Sequence, residues 1–180
     1  MHQVPRQHVW LGLGSNLADP VKQLALALTF FKQHSAIDLL AVSPVYQSPA
    51  MVLPEQNPAE VPDYLNLVVQ IATDLAPEVL LAALKLQEQQ QGRNLSAQRW
   101  SSRPIDLDIL VYGSLVLSTA QLVLPHPGIA SRDFVLLPWQ DVAPNTVIPE
   151  LGTVADCAAA LPETSAKRVA DSVAELAGTA

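Results

Sequence analysis

Residues 99–113 read RWSSRPIDLDILVYG, a short basic and aromatic lead-in that runs into an apolar strand interrupted by two carboxylates. From Ile105 to Tyr112 every residue is branched or aromatic except Asp106 and Asp108. Successive side chains on a strand point to opposite faces, so the two aspartates share one face, two residues apart. Side by side they repel each other and lose hydration unless a cation sits between them. Such a pair reads as a Mg²⁺ site, because Mg²⁺ keeps several waters and takes one or two carboxylates together with substrate phosphates. Arg99 and Arg103 add planar forks suited to phosphate oxygens, and Trp100 adds a flat stacking face. The alternative is an edge strand whose alternate residues face water, in which Asp-x-Asp is a solvated face.

The 180 residues, 49% hydrophobic and 15% charged, predict a single globular domain over 1–180, with its core at about 8–150 and a C-terminal tail at 151–180. Ten Lys and Arg against 17 Asp and Glu give a net charge of −7. That balance argues against a general nucleic-acid or membrane-surface binder and leaves phosphate chemistry to locally gathered arginines. No run approaches the roughly 20 apolar residues of a membrane helix, and MHQVPRQHVWLGLG lacks the apolar core of a signal peptide. A cytoplasmic monomer is the expectation. The single Cys157 excludes an intramolecular disulfide and a cysteine-rich metal site, and reads as a small buried side chain.

Upstream, His8 to Leu13 predict a buried strand that stops at Gly14-Ser15-Asn16-Leu17, where Gly14 allows a tight turn. That GSNL stretch reads first as a plain strand-to-helix connection. Asp19-Pro20 then caps and opens a helix ending near His34. Ile37 to Gln47 read as a second strand, with Pro44 implying an edge or a bulge. Pro49, Pro54, Pro58 and Pro62 punctuate a long aperiodic loop of the kind used as functional lids. Asp63 to Thr73 form a third strand, with Tyr64 and Asn66 on one face. They are either a stacking and hydrogen-bonding pair for a flat heterocycle or a solvent-facing pair at a strand end. A second helix opens at Ala76-Pro77-Glu78 and stops at Gly92, with Glu88 and Arg93 near its end.

Downstream of Gly113, SLVLS and QLVLP predict a hairpin and Pro125-His126-Pro127-Gly128 a turn, followed by a short helix from Ala130 to Leu137. His126, held between prolines, is either a ligand or an exposed turn histidine. From Ala155 the tail is Ala-rich and helical, with a break at Pro162. The order strand, helix, strand, strand, helix, strand is the ferredoxin-like split unit. The expected fold is therefore an α+β, ferredoxin-like βαββαβ sandwich. It has an antiparallel sheet with helices on one face, an extra hairpin and a helical C-terminal tail.

GLGSNL, YQSP before the Pro-rich loop, PDYLN, EQQQGR, RWSSRPIDLDILVYG and LPHPGIASRDFVLLP occur in that order. Together they resemble the 6-hydroxymethyl-7,8-dihydropterin pyrophosphokinases of folate synthesis over about residues 8–150, with the tail outside the resemblance. The resemblance implies transfer of the β,γ-pyrophosphoryl group of ATP to the pterin hydroxymethyl oxygen, releasing AMP. It implies Asp106 and Asp108 as ligands of two Mg²⁺ ions, with Arg93 and Arg103 beside the phosphates. The pterin pocket would comprise Ser48, Pro49, Met51, Tyr64, Asn66 and Phe134, with Trp100 beside it. On the ATP side it implies Glu88, Arg93, Trp100, Arg103, Ile109, His126 and Arg132. Leu95 and Gln121 stand where well-known bacterial members carry arginine, and Val123 where they carry threonine. Arg99 and Lys85 are candidates to compensate. These departures keep open a degenerate relative that binds pterin or nucleotide without turnover, and a ferredoxin-like interaction domain with a solvated Asp-x-Asp is a third reading.

Overall fold

The computed structural model describes residues 5–50, 57, 60–93 and 103–178. In chain order its elements open with β1 (Gln7–Ser15), α1 (Pro20–Gln33), β2 (Ile37–Val42), β3 (Val45–Ser48), β4 (Tyr64–Thr73), α2 (Pro77–Gln90) and β5 (Asp106–Tyr112). A hairpin, β6 (Leu117–Ser118) and β7 (Val123–Leu124), and a 3-10 turn at Ile129–Ser131 lead to α3 (Asp133–Val142). The remainder is a second small hairpin, β8 (Val147–Ile148) and β9 (Gly152–Thr153), then α4 (Val154–Ala159), β10 (Lys167–Ala170) and α5 (Val173–Ala177).

β1 lies between β4 and β5 and is antiparallel to both. β2 and β3 pair in succession with the far side of β4. This is the ferredoxin-like order, with the second strand broken in two. The break falls at Ser43-Pro44, where the sequence implied an edge or a bulge. Proline cannot donate to the ladder, and Ser43 Oγ takes the Val68 N–H at 2.8 Å instead. The helix limits follow the sequence signals closely. Asp19 caps α1 by accepting from the Lys22 N–H at 3.1 Å, and α2 is followed by Gly92 at φ +91°, a conformation that favours glycine.

The period-2 alternation sorts the strands' side chains onto two faces. Val9, Leu11, Leu13, Leu67, Val69, Ile71, Leu107 and Ile109 pack against Leu24, Ala27 and Phe31 of α1 and Leu80 and Leu84 of α2. On the opposite face Trp10, Val68, Leu110 and Val111 pack under Val135, Leu136 and Trp139 of α3 and Val154 and Cys157 of α4. The expectation of helices on one face is therefore incomplete. The Trp10 and Val68 side is apolar too and needs its own cover. A bulge opposite Trp10 and Leu11 shifts the β5 register. It lets Leu110 and Val111 both face α3 and turns Tyr112 to the other side, where its hydroxyl donates to Leu75 O at 2.6 Å.

Two further expectations change. β1 does not stop at Leu13 but continues through Gly14 and Ser15 in register with β4 and β5, so Gly14 is a strand residue and not a turn residue. The tail contains helices, as expected, but also β10, which adds to the free edge of β3. Three of its four residues are exposed, so KRVA carries no apolar alternation by which a strand is recognised. Among the described residues no helix is long and apolar enough to cross a membrane.

Phe31 is fully buried between the sheet and α1, whereas Leu40 on the outer edge is 47% exposed. Phe31→Ala is expected to lower the unfolding free energy by about 3–5 kcal/mol through cavity formation. Leu40→Ala is expected to change it by no more than about 0.5 kcal/mol, with urea denaturation as the measurement.

Candidate active site

Where α3 leaves the second face uncovered, the sheet opens into a cavity of about 330 Å³. Its floor is the end of β1. Gly12 lies opposite Asp108 and Gly14 opposite Asp106, while across β4 Gly14 faces Asn66. The two glycines leave a side-chain-free strip between the aspartates and Asn66. A Cβ on Gly14 would stand 3.1 Å from Asn66 Oδ1 and 3.6 Å from Tyr64 Cδ1, so a larger residue there would push on the β4 side chains. The sequence shows Gly-x-Gly at strand period, but nothing in it says that the glycine face is the cavity face.

Asp106 and Asp108 share the wall above this strip, as the alternation predicts, and both are half-buried within the cavity instead of forming a solvated edge. Their surroundings differ. Arg93 pairs with one oxygen of Asp106, and Arg103 Nη1 reaches the other at 2.8 Å. Burial alone would push Asp106 up, but the charges of Arg93 and Arg103 outweigh it and hold the carboxyl below its ordinary value. Asp108 sits 3.7 Å from Arg132 Nη1 and 3.8 Å from His126 Nε2, too far for hydrogen bonds. Burial and the neighbouring Asp106 charge push Asp108 above its ordinary value, against the pull of Lys85, His126 and Arg132. Its ion pairs are longer than those of Asp106.

His126 is a cavity residue, not an exposed turn residue. Its backbone N–H donates to Leu110 O at 2.8 Å, and its Nδ1 accepts the Gly128 N–H at 3.0 Å. Burial lowers it from the usual histidine value, so the neutral ring carries its proton on Nε2, the nitrogen facing Asp108. Arg132 lies between Asp108 and the Phe134 ring, its guanidinium carbon 5.8 Å from the ring centroid. Phe134 from α3 and Tyr64 from β4 supply aromatic surface to the cavity, and Ser48 and Pro49 close it beside them. Asn66 Nδ2 donates to Ser48 Oγ at 2.8 Å, tying β4 to β3 at this point. Tyr64 and Asn66 are therefore not a solvent-facing pair.

Two residues expected on the nucleotide side lie elsewhere. Ile109 points into the helix-side core, on the opposite face of β5 from Asp108. Glu88 is fully buried behind β5. One of its oxygens accepts from Lys85 Nζ at 2.8 Å and from the Leu107 N–H at 2.7 Å, and Leu107 is the residue between the two aspartates. Its other oxygen lies 2.7 Å from Arg93 Nη1 but off the line of a hydrogen bond, which makes that contact an ion pair. Burial raises the Glu88 carboxyl against the pull of Lys85. Glu88 thus fixes the strand backbone and the two cations Lys85 and Arg93, both of which line the cavity. Met51, Leu95, Arg99 and Trp100 lie outside the described residues. Gln121 and Val123 sit on the exposed β6–β7 hairpin.

The GSNL stretch does more than connect β1 to α1. Ser15 donates to Pro104 O, and the Asn16 side chain donates to Pro62 O at 3.0 Å and accepts the Arg103 N–H at 2.9 Å. Both residues are buried. They hold the backbone from which the Arg103 side chain reaches Asp106. The all-oxygen donor set of the aspartate pair, beside four basic side chains, suits a hard divalent cation bound together with phosphates.

A sequence model described as 7,8-dihydro-6-hydroxymethylpterin-pyrophosphokinase matches residues 10–144. A 2-amino-4-hydroxy-6-hydroxymethyldihydropteridine pyrophosphokinase of Pseudomonas aeruginosa is 40% identical over 156 residues, which is 87% of this chain and 93% of that protein. The protein of the same name from Haemophilus influenzae is 39% identical over 140 residues, 78% of this chain and 84% of that one. In fold, the chain is similar to wild-type HPPK-DHPS of Plasmodium falciparum, with a TM-score of 0.68 at 15% identity over 88% of this chain. It spans 45% of that longer solved chain.

Removing the buried carboxylate behind β5 leaves Arg93, Lys85 and the Leu107 N–H without their shared partner. Glu88→Ala is accordingly expected to destabilise the protein by about 3–5 kcal/mol, read from chemical denaturation.

Proposed function

The chain belongs to the 7,8-dihydro-6-hydroxymethylpterin-pyrophosphokinase family, and from that membership we propose that it transfers the β,γ-pyrophosphoryl group of ATP to the hydroxymethyl oxygen of 6-hydroxymethyl-7,8-dihydropterin. The products are AMP and the pterin diphosphate, in a step of folate synthesis. The observation that carries the reading is the unequal aspartate pair. Asp106 is paired closely with two arginines, whereas Asp108 beside it has only the longer contacts to Arg132 and His126, at 3.7 and 3.8 Å.

The chemistry of pyrophosphoryl transfer asks for alignment and charge neutralisation more than for covalent catalysis. Bound magnesium, two ions in our reading, supplies that neutralisation and orients the phosphate oxygens. Asp106 and Asp108 are the residues that would hold it. Arg93 and Arg103, now engaged with Asp106, carry planar forks that match phosphate oxygens. A triphosphate would offer them partners, leaving Asp106 as a residue that would hold the metal. Nucleotide and metal therefore support each other's binding. Arg132 and the Nε2–H of His126 face the same space and present further donors to phosphate. The aromatic faces of Phe134 and Tyr64 suit a flat heterocycle, whose polar edge Asn66 and the Ser48–Pro49 backbone can meet.

Asp106→Ala and Asp108→Ala are each expected to lower AMP release by a factor on the order of 10³ while leaving the circular dichroism spectrum close to wild type; Asp106→Ala, which leaves Arg93 and Arg103 without that partner, is expected to lower the thermal midpoint as well. Nucleotide products resolved by chromatography are the measurement. Either variant retaining wild-type turnover would refute the metal assignment.

A further inference from the structure

Asp133 sits at the first turn of α3, between Arg132 and Phe134, yet its side chain turns away from the cavity. Only 9% of it is exposed. One carboxylate oxygen accepts the Phe134 N–H at 2.7 Å. The other accepts from the Ser165 N–H at 2.5 Å, the Ser165 hydroxyl at 3.2 Å and the Ala166 N–H at 2.8 Å. Three of these donors belong to the tail, beyond the end of the family match at residue 144. The tail then runs directly into β10, which pairs with β3 from Val45 to Gln47. A second tie parallels the first: Arg168 of β10 donates to Asp141 of α3 at 3.1 Å, and the same oxygen accepts the Tyr46 hydroxyl of β3 at 2.9 Å.

The tail thus spans two elements that meet the cavity from different directions, α3 carrying Phe134 and β3 ending in Ser48. Hydrogen bonds to a charged acceptor are among the stronger ones, and four on one buried carboxylate leave it little freedom. We propose that residues 165–170 act as a clamp, with Asp133 as the positioning residue, that sets the separation of Phe134 from the Ser48–Pro49 edge and so tunes the cavity for a flat bicyclic substrate. This rests on the reading of that aromatic end as the pterin site. Among the described residues no hydrogen bond of Asp133 or of residues 165–170 reaches Asp106, Asp108, Arg93 or Arg103; Arg132, next to Asp133, is the one phosphate-side residue the clamp adjoins, so the larger effect falls on the pterin.

Asp133→Asn keeps the volume but removes the charge and turns an acceptor into a donor. It is expected to raise the KM for the pterin about tenfold while the KM for ATP and kcat stay within about twofold of wild type. Arg168→Ala, which breaks the exposed tie and leaves Asp133 intact, is expected to shift the pterin KM in the same direction by a smaller factor. A purely structural role would lower the folded fraction and with it the apparent kcat, leaving both KM values unchanged. An unchanged pterin KM in folded Asp133→Asn, or equal shifts in both KM values, overturns the clamp. Should Asp133→Asn fail to fold, Arg168→Ala decides, and an unchanged pterin KM there is the overturning result. Pterin dissociation constants from fluorescence read the same effect without turnover. A failure of the pyrophosphokinase reading, seen as wild-type protein that forms no AMP, is therefore distinct from a failure of the clamp.

Discussion

Two carboxylates on one face of a buried strand repel each other, and the site is organised around that repulsion. Asp106 is neutralised by Arg93 and Arg103, and Asp108 is left with partners at 3.7 and 3.8 Å. The strand between them is held by a third, fully buried acid, Glu88, acting on the Leu107 backbone. An acid in that position needs its own cations, which Lys85 and Arg93 provide while also lining the cavity. In a chain with net charge −7, four of its ten basic residues, Lys85, Arg93, Arg103 and Arg132, gather around this one opening. The local field therefore opposes the global one, which is what recognition of a polyphosphate requires of an acidic protein.

The sheet order makes the arrangement possible. With β1 between β4 and β5, and β5 at an edge, the end of α2 reaches Asp106 from behind, and the turn carrying His126 reaches Asp108 from the front. Glycines on the central strand then leave the floor clear between the acids and the β4 residues Tyr64 and Asn66. Each feature is local in origin, and the fold brings them together.

Much of this was legible in the chain. The alternation around Asp106 and Asp108 placed both on one face, the Asp19-Pro20 signal marked a helix start, and Pro44 marked a break in a strand. Face assignment was less accessible, because period-2 alternation says which side chains agree with one another but not what they meet. Gly14 looked like part of a turn, since glycine in a strand carries no apolar signal of its own. Glu88 looked like a nucleotide ligand, although its burial depends on a contact with β5 across 19 residues of sequence. β10 was hidden because an edge strand with three of its four residues exposed has no alternation to read. The large apolar side chains Trp10 and Val68, by contrast, did carry the information that a second layer had to cover them.

The most direct measurement is the nucleotide product formed by wild-type protein given Mg²⁺, ATP and 6-hydroxymethyl-7,8-dihydropterin. The account predicts AMP and pterin diphosphate appearing in equal amounts, with both lost when the metal is chelated. Release of ADP, or intact ATP in the presence of bound pterin, would contradict it.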